Sequence, residues 1–564
     1  MKFEEYPLRV PELAKVSKKA KQIITELKDA ETASAAIKAV KKMNRFSADL
    51  SSDMTIISIR YTIDTTNEVY RNANDVLDEI SPHISAVFNE YNQALVASKF
   101  RAELEEEFGS YLFAMIDNQI KCFNPIIIED LQKENKLKTQ YSRLLASAQI
   151  KYRGKVYNLS QMGIFLQDKD AETRKSAAKA YIKFFEDNER EMEEVYDQLV
   201  HLRDGMAKKL GFSNYVELGY RRLGRLDYDA KDVANYRDQI YQEVVPVVKK
   251  LKKRQAKRIG IKSMKFYDEP LSFLSGNPTP IGERPLLVQQ AQKMYHEMGQ
   301  ETDEFFTFMV ENHLLDLDAK PGKEGGGYMT YIPRYKAPFI FANFNGTAGD
   351  VDVLTHEVGH AFQGYASRNI KVPEYQSPTL EACEIHSMSM EFFAEPYIEY
   401  FFGDQADKYR FSHLEGAIEF LPYGVAVDEF QAFVYENPTV SIEERNAEWR
   451  KIEKKYMPWK KYTGFPYLEK GTRWMRQHHI IASPFYYIDY TLAQVVAFQF
   501  AIEMRKNHAK AWKKYVRLCK LGGRYPFVTL LKHAKLRNPF ENGNVKKVIR
   551  PLAKELNTYD DSKF

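Results

Sequence analysis

The stretch Thr355-His356-Glu357-Val358-Gly359-His360 is the part of the sequence around which the fold is interpreted. Histidines four residues apart lie on one face of an α-helix, so the imidazoles of His356 and His360 can reach a single metal ion. Glu357 points far enough around the helix to miss that ion and to reach a water molecule bound to it. The stretch therefore predicts a helix that carries two metal ligands and a general base.

The residues before this stretch favour a helix that begins just ahead of it. Asn345-Gly346-Thr347-Ala348-Gly349-Asp350 supplies turn glycines and a choice of N-cap, Thr347 or Asp350. With 12 histidines in 564 residues, chance would produce HExxH in roughly a few per cent of shuffled chains at most. The pattern and its flanks together indicate the HExxH arrangement of zinc peptidases, with two ligands and a glutamate base.

Catalytic zinc requires a third protein ligand and one open position. A metzincin continuation with a glycine and a third histidine is excluded, because Gln363 and Ala366 stand at those positions. Residues 379–392 have the composition of a second helix packed on the first, and both Glu381 and Glu384 are candidates for the ligand. An acidic stripe on a helix is more often a solvated face, and periodicity alone does not choose between these glutamates.

The two segments resemble the thimet oligopeptidase and oligoendopeptidase F family of zinc metallopeptidases, most closely the oligoendopeptidase F branch. Members share HExGH followed by a glutamate on the next helix, in a context like Glu384-Ile385-His386-Ser387-Met388-Ser389-Met390-Glu391. Matches at residues 326–328, 338–347 and 484–490 follow in the family order and extend the resemblance over about the C-terminal two-thirds of the chain. The resemblance implies one Zn²⁺ per chain, with the ligands His356, His360 and Glu384.

Three carboxylates are expected next to these ligands. The resemblance leaves Glu381 as a neighbour of the metal site, together with Glu391. Asp352 lies four residues before His356 on the same helix face, and this spacing suggests that it orients the His356 ring, as carboxylates behind metal ligands do.

The resemblance also implies a histidine and tyrosine segment that faces the zinc from the opposite wall of the cleft. A tetrahedral intermediate develops an oxyanion, which a neutral tyrosine hydroxyl or a histidine N–H can stabilise. Tyr490 and then Tyr487 are the predicted donors. His479 fits the family spacing to Pro484 better than His478 does.

Two segments ahead of the motif are predicted to bind substrate. Gly326, Gly327 and Tyr328 belong to a turn, interpreted as a mobile loop at the edge of a peptide channel. Residues 339–344, with Phe341 and Ala342, are predicted to form a strand. An exposed edge there would accept an extended peptide through main-chain hydrogen bonds. The alternative is a buried core strand, and the resemblance favours the edge.

The predicted fold is mainly α-helical. Residues 10–145 carry apolar side chains at helical spacing, and residues 149–159 suggest a short hairpin. A lobe boundary near residue 165 gives an N-terminal helical lobe, 1–165, and a catalytic domain, 166–564. The resemblance implies two helical lobes that enclose a deep substrate channel, with a small β-sheet beside the HExxH helix.

Composition limits the partners and the compartment. A net charge of +5 is weak for this length and implies neither a nucleic-acid nor a membrane partner. The three cysteines are far apart and odd in number, which is typical of a reducing compartment. The N-terminus lacks an apolar signal segment, so a cytoplasmic location is expected. No obligatory protein partner is evident.

The sequence thus predicts a zinc-dependent oligoendopeptidase that cleaves internal bonds of short, unstructured peptides, with Glu357 as the general base. The substrate class follows from the resemblance. One alternative is a carboxypeptidase on the same scaffold, which needs a cationic or donor group for the C-terminal carboxylate. The other is a non-enzymatic helical interaction protein with an incidental motif, disfavoured because the third ligand and the tyrosine segment match as well.

Overall fold

The computed structural model describes all 564 residues and is mainly helical, as predicted. The N-terminal part consists of helices whose buried apolar residues recur at helical spacing, such as Ala20, Ile23, Ile24 and Leu27 in the first. These helices are α1 (Leu13–Lys28), α2 (Ala33–Ile63), α3 (Glu68–Val96), α4 (Arg101–Phe108), α5 (Ser110–Lys121) and α6 (Ile128–Ala146).

The predicted hairpin follows as β1 (Ile150–Tyr152) and β2 (Lys155–Tyr157), which pair antiparallel. Its two turn residues, Arg153 and Gly154, both have positive φ, as a tight two-residue hairpin requires. The next helices are α7 (Gly163–Leu166), α8 (Ala171–Asp187), α9 (Glu189–Lys209), α10 (Tyr215–Arg222), α11 (Ala230–Glu243), α12 (Val245–Arg258), α13 (Arg284–Met298) and α14 (Gln300–Glu311).

A three-stranded sheet lies beside the HExxH helix. It contains β3 (Leu315–Asp318), β4 (Tyr328–Ile332) and β5 (Ala337–Phe344), with β5 in the centre. The prediction of an exposed edge at residues 339–344 is therefore wrong. This strand pairs with β3 on one side and β4 on the other, and Phe341 and Ala342 are fully buried. A continuous apolar run suits a strand covered on both faces, and one free edge of the sheet belongs to β4.

The two helices that carry the predicted metal ligands are α15 (Gly349–Ser367) and α16 (Leu380–Ala394). Neither predicted cap of α15 is present, since its N-cap is Ala348. Asp350 lies inside the first turn and accepts the backbone N–H groups of Asn345 and Gly346, each at 2.8 Å. Its carboxylate fixes the loop before the helix instead of the helix terminus.

Gly359 sets the close approach of α15 and α16. A Cβ atom at this position would lie 2.6 Å from the Ser387 Cα atom and 2.7 Å from the His386 carbonyl oxygen. Such contacts are too short for any side chain, so only glycine lets the two helices pack at this distance. The spacing between the histidines on α15 and the glutamate on α16 depends on this contact.

The remaining helices complete the larger core. In chain order they are α17 (Glu399–Phe402), α18 (Ala406–Glu436), α19 (Ile442–Tyr456), α20 (Pro466–Glu469), α21 (His478–Ala482), α22 (Tyr487–Lys506), α23 (His508–Leu521), α24 (Phe527–Ala534) and α25 (Asn544–Leu556). The most buried of these helices is α22, a twenty-residue helix that runs along α16. None of the helices combines the length and the apolar character that a membrane-spanning segment requires.

The structure has two main apolar cores. The smaller core lies mainly among α1 to α5 and also includes Val372 and Tyr375. The larger core extends over most of the remaining chain and includes Ile56 and Ile59 of α2 and Leu137 and Tyr141 of α6. A cleft of about 670 Å³ lies between α2, α3 and the free edge of β4. The division at residue 165 remains a prediction, and α6 shares its apolar contacts with the larger core.

Candidate metal centre

His356, His360 and Glu384 meet where α15 packs on α16. The Nε2 atoms of His356 and His360 lie 3.2 and 3.3 Å from the same oxygen, Glu384 Oε2. One donor atom from each residue lies within 4.8 Å of the other two. Two imidazoles and a carboxylate are the donor set that a catalytic metal site uses when it keeps one coordination position open. The structure therefore brings the three predicted ligands together.

Glu384 is further fixed by two hydroxyl groups. Ser387 Oγ donates to Glu384 Oε2 at 3.0 Å, and the Tyr486 hydroxyl donates to Glu384 Oε1. Although burial opposes it, the charges of His360 and His356 hold the pKa of Glu384 well below its usual range. The carboxylate is thus ionised, as a metal ligand must be. Tyr486 was not among the predicted site residues, although it lies in the segment 484–490 that carries the resemblance.

Glu391 supports His356 from behind. The Nδ1 atom of His356 lies 2.7 Å from Glu391 Oε1, and the second oxygen of Glu391 lies 2.8 Å from His413 Nε2. The prediction that Asp352 orients this ring is wrong, because Asp352 accepts its hydrogen bond from the Tyr409 hydroxyl. Asp352 is one helical turn away along α15, whereas Glu391 reaches the ring across the interface from α16.

Glu381 lies behind the ligands without touching them. It is buried and accepts a hydrogen bond from the Tyr228 hydroxyl. Near it, Arg225 forms an ion pair of 2.6 Å with Asp489 on α22. Burial raises the pKa of Asp489; Arg225 opposes this rise and Glu381 adds to it. Glu381 therefore belongs to a buried charge cluster that joins α16 to α22.

Glu357 is positioned as a free carboxylate beside the ligands. It is only 5% exposed, and its Oε2 atom has no hydrogen-bond partner. Burial raises the pKa of Glu357, and the charges of His356 and His360 oppose that rise. A buried carboxylate with an unoccupied oxygen and a raised pKa suits proton transfer near neutral pH.

The predicted glycine loop lies directly against Glu357. A Cβ atom on Gly327 would lie 3.3 Å from Glu357 Oε1 and 3.4 Å from the Phe341 carbonyl oxygen, so a side chain there would crowd the carboxylate. The Asn343 side chain donates to the carbonyl oxygens of Glu324 and Gly326, both at 2.8 Å. The loop that was predicted at the channel edge therefore also borders the predicted base.

The same loop is hydrogen-bonded to the end of α2. Thr65 donates to the Gly322 carbonyl oxygen from its backbone N–H at 2.8 Å and from its hydroxyl at 2.6 Å. The backbone N–H of Glu324 donates to the Thr62 carbonyl oxygen at 2.9 Å. The Tyr328 hydroxyl lies 2.6 Å from Thr62 Oγ1. These contacts connect the N-terminal helices to the strand edge next to the metal centre.

Phe341 and Ala342 lie on β5 and support the free edge of the neighbouring strand β4. The Tyr328 ring stacks on the Phe341 ring with centroids 4.7 Å apart. The Ala342 carbonyl oxygen accepts from Lys323 Nζ at 2.5 Å, so it is not free to pair with a peptide. Both residues support the strand that has the free edge.

Residues 477–490 form the wall that was predicted to face the ligands, here called the tyrosine wall. It contains a chain of hydrogen bonds that ends at Tyr490. The Tyr423 hydroxyl donates to Gln477 Oε1 at 2.8 Å, and Gln477 Nε2 lies 2.9 Å from His479 Nδ1. His479 Nε2 then lies 3.2 Å from the Tyr490 hydroxyl. Tyr490 and Tyr486 are neighbours, with ring centroids 5.0 Å apart, which places Tyr490 next to the hydroxyl that holds Glu384.

His478 and Tyr487 occupy different places in this wall. His478 turns towards α6, where its Nε2 atom lies 3.0 Å from Ser142 Oγ. The Tyr487 ring contacts the rings of Tyr423 and His479, at centroid distances of 5.8 and 5.0 Å. The Tyr487 hydroxyl makes no hydrogen bond within the chain. His479 is thus the histidine of the pair that contacts the tyrosines.

A strained turn fixes the start of the tyrosine wall. Phe485 is buried and has a φ of +66°, a conformation that L-residues rarely adopt. Its carbonyl oxygen accepts from Arg225 Nη2 at 2.6 Å, and its N–H donates to Gln431 Oε1 at 3.0 Å. Arg225 also binds Asp489, so a single guanidinium holds both sides of the turn. No role for Arg225 was predicted from the sequence.

A mainly helical chain with two HExxH histidines and a glutamate converging on one point, beside a buried free carboxylate, has the fold and site of a metallopeptidase. The family model of peptidase family M3 matches residues 164–271 and 286–548, and that of the peptidase M3 N-terminal domain matches residues 3–123. The chain belongs to peptidase family M3.

Solved structures agree with this assignment. A structure of PZ peptidase A with an inhibitor has 49% sequence identity, covers 100% of both chains and superimposes with a TM-score of 0.99. A protein proposed to be an oligoendopeptidase F has 50% identity, 100% coverage of both chains and a TM-score of 0.99. Another, from Bacillus anthracis, has 47% identity, covers 100% of this chain and 99% of the other, and has a TM-score of 0.94. No curated protein matched the chain.

Proposed function

We propose that this metallopeptidase is a zinc-dependent oligoendopeptidase that hydrolyses internal bonds of short, unstructured peptides. The observation that carries the proposal is the convergence of three donor atoms within 4.8 Å of one another beside the free, buried carboxylate of Glu357. Family membership makes peptides the substrates, and structures with the name oligoendopeptidase F support the oligopeptide class.

The donor set fits zinc. His356, His360 and Glu384 would hold one ion per chain, and Glu391 would keep the His356 ring in the tautomer that presents Nε2. When bound, zinc supplies a Lewis acid that lowers the pKa of water to about 7 and polarises a carbonyl group. Glu357 accepts the proton of the attacking water and delivers it to the leaving amine.

The wall formed by His479 and Tyr490 stabilises the oxyanion in this proposal. Burial, with a smaller contribution from His478, lowers the pKa of His479 to about 3, so its ring is neutral at neutral pH. Because Gln477 Nε2 donates to Nδ1, the proton of His479 resides on Nε2 and is directed at the Tyr490 oxygen. The Tyr490 O–H is then free to donate to the developing oxyanion. Tyr487 completes the wall by packing.

The free edge of β4 is the proposed peptide-binding strand, in place of residues 339–344. An extended peptide would add to Tyr328–Ile332 through main-chain hydrogen bonds, which require no particular side chains. The cleft of about 670 Å³ along this edge is bounded by α2 and α3, so the N-terminal lobe, proposed as residues 1–165, forms its other side. Gly326 and Gly327 border the end of this strand nearest to Glu357.

A cytoplasmic location completes the proposal. Cys122, Cys383 and Cys519 all have free thiols in the structure, as a reducing compartment requires.

Mass-spectrometric product mapping of a defined mixture of short peptides tests the proposal, with Glu357→Gln as the matched control. The zinc-loaded wild type is expected to cut internal bonds, and the variant to retain zinc while losing at least about 100-fold in rate. A ladder of single residues from the C-terminus would assign the carboxypeptidase alternative instead. If the zinc-loaded wild type cleaves no peptide, the proposed function is wrong.

A further inference from the structure

A second cavity lies behind the tyrosine wall. Its volume is about 360 Å³, and its lining includes Phe420 and Tyr423 of α18. The Tyr487 ring contacts both of these rings at centroid distances of 5.8 Å, and on its other side it contacts His479. The cavity is therefore separated from the proposed oxyanion donors by one layer of aromatic rings.

The lining of this cavity carries more cations than carboxylates. Lys252, Lys460, Arg473 and Arg476 face two carboxylates, Glu269 and Glu419. Lys252 pairs with Glu419 at 2.6 Å and Lys460 pairs with Glu269 at 2.7 Å, so both carboxylates are already neutralised. The two arginines are left without a partner among the lining residues.

The two arginines differ in their remaining contacts. Arg473 lies 3.2 Å from Glu453, a carboxylate that also binds Arg450 at 3.1 Å. Arg476 is exposed and makes no hydrogen bond or ion pair within the chain. Burial and the nearby Tyr423 raise the pKa of Tyr487, and the charges of Arg476 and Arg473 oppose that rise, so both cations act on the tyrosine layer. The free guanidinium of Arg476 thus lies at a cavity with excess positive charge.

The cavity is also connected to the proposed active site by hydrogen bonds. Tyr423 lines it and begins the chain that runs through Gln477 and His479 to Tyr490. Arg476 immediately precedes Gln477. A group bound at Arg476 would therefore lie beside the residues that position the oxyanion donor.

We propose that this cavity binds a carboxylate of the peptide substrate through Arg476, with Arg473 contributing to the positive field. The planar guanidinium offers parallel N–H donors that match a carboxylate. The carboxylate is either the free C-terminus of the peptide or an aspartate or glutamate side chain. This inference depends on the proposed peptidase function and specifies which peptides the enzyme prefers.

Paired peptides test the proposal by kinetics. One pair carries a free C-terminal carboxylate or a carboxamide, and further pairs carry glutamate or glutamine at each internal position. In the wild type, kcat/KM for the acidic member of one pair is expected to exceed that of the neutral member by about tenfold, as one charge-assisted hydrogen bond provides. In Arg476→Met this ratio is expected to fall to about one, and in Arg476→Lys to recover in part. The affected pair identifies the source of the carboxylate.

Arg517→Met is the matched control, because Arg517 is an exposed arginine of α23 that makes no hydrogen bond or ion pair. It should leave every ratio unchanged. Ratios near one for all pairs in the wild type would overturn the proposal, as would ratios that Arg476→Met does not alter.

A binding measurement separates failure of this proposal from failure of the proposed function. Dissociation constants of the same peptide pairs are measured on the zinc-loaded Glu357→Gln protein, which does not depend on turnover. A carboxylate preference of about tenfold that disappears on adding Arg476→Met supports the site even if no peptide is cleaved. Equal dissociation constants within every pair would reject the site even if the wild type is an active peptidase.

Discussion

The two walls of the proposed active site are built in opposite ways. On one wall, charged groups on α15 and α16 converge from neighbouring turns, and the three donor atoms lie within 4.8 Å. On the other, neutral groups of residues 477–490 are aligned by a chain of hydrogen bonds that begins at Tyr423 in α18. The first wall derives its geometry from helical spacing and one glycine contact. The second depends on tertiary contacts between distant segments.

The difference separates two kinds of vulnerability. We expect the charged wall to tolerate few substitutions, because each proposed ligand would contribute directly to binding the metal ion. The neutral wall depends on position, since Phe485 is held at positive φ by Arg225, from the loop after α10, and by Gln431 of α18. We therefore expect variants of the first wall to lose metal, and variants of the second to keep metal while losing rate.

The largest effect is expected from Glu384→Gln. Loss of the charged ligand should remove most of the bound metal and reduce kcat by at least about a thousandfold, because the metal contributes several kcal/mol to the transition state. Metal content by mass spectrometry and peptide hydrolysis measure the two losses. Glu381→Gln, on the same helix and equally buried, is the control and should retain metal. Loss of metal in Glu381→Gln but not in Glu384→Gln would show that Glu381, and not Glu384, is the ligand.

Tyr490→Phe tests the neutral wall. Removing one oxyanion donor should lower kcat by about 100- to 1000-fold while metal content stays at the wild-type value. Tyr487→Phe is the matched control, because the Tyr487 hydroxyl makes no hydrogen bond within the chain, and its effect should be several times smaller. Stopped-flow or steady-state hydrolysis of one peptide is sufficient. An equal loss in both variants would mean that the wall acts by packing and not through the Tyr490 hydroxyl.

Glu391→Gln is expected to weaken metal binding without abolishing it. Its carboxylate accepts from His356 and lies against His413, so the variant should bind metal about 10- to 100-fold more weakly. Competition with a chelator of known affinity measures this change. Asp352→Asn is the control and should change metal affinity less than twofold, since Asp352 contacts Tyr409. The opposite ranking would restore the role that helical spacing assigned to Asp352.

At neutral pH the smallest effect is on stability, and this effect grows on acidification. Burial holds the pKa of His479 at about 3, below its unfolded value, so on acidification the unfolded chain binds a proton before the folded chain does. Stability is therefore lost as the pH falls from about 6.5 towards 3, by up to about 1.4 kcal/mol per pH unit. His479→Gln should reduce the slope of the stability profile between pH 6.5 and 4.5, measured by urea unfolding at each pH. A slope remains because burial also lowers the pKa values of His478 and His386 to about 4. An unchanged slope would show that His479 titrates normally in the folded chain.

The sequence predicted the charged wall better than the neutral one. His356, His360 and Glu357 follow helical spacing and a motif, and Glu384 was assigned through the family resemblance. The structure brings the three proposed ligands together, with Glu357 beside them. Asp352 satisfied the same spacing but belongs to a different contact, because periodicity says which residues share a face and not which helix lies opposite. Tyr486 and Arg225 could not be given a role, since their contacts to Glu384 and Phe485 join segments about 100 to 260 residues apart.

The fold was predicted in outline, including the mainly helical character and the small sheet beside the HExxH helix. The order of its strands was not predictable from an apolar run. Phe339 to Phe344 suits either an edge or a centre, and only pairing with residues 315–318 and 328–332 decides between them. The N-caps predicted for α15 were wrong for a similar reason. The Asp350 carboxylate accepts hydrogen bonds from the preceding loop and not from the helix terminus.

The attachment of the glycine loop to α2 has a mechanical consequence. Gly327 lies against the Glu357 carboxylate, and the same loop is bound to Thr62 and Thr65 at the end of α2. Any displacement of α2 away from the sheet must either break these hydrogen bonds or pull the loop with it. Widening of the cleft and the surroundings of the proton acceptor are thus linked through one short segment. A chain too bulky to let α2 approach the sheet would also leave that carboxylate without its neighbour.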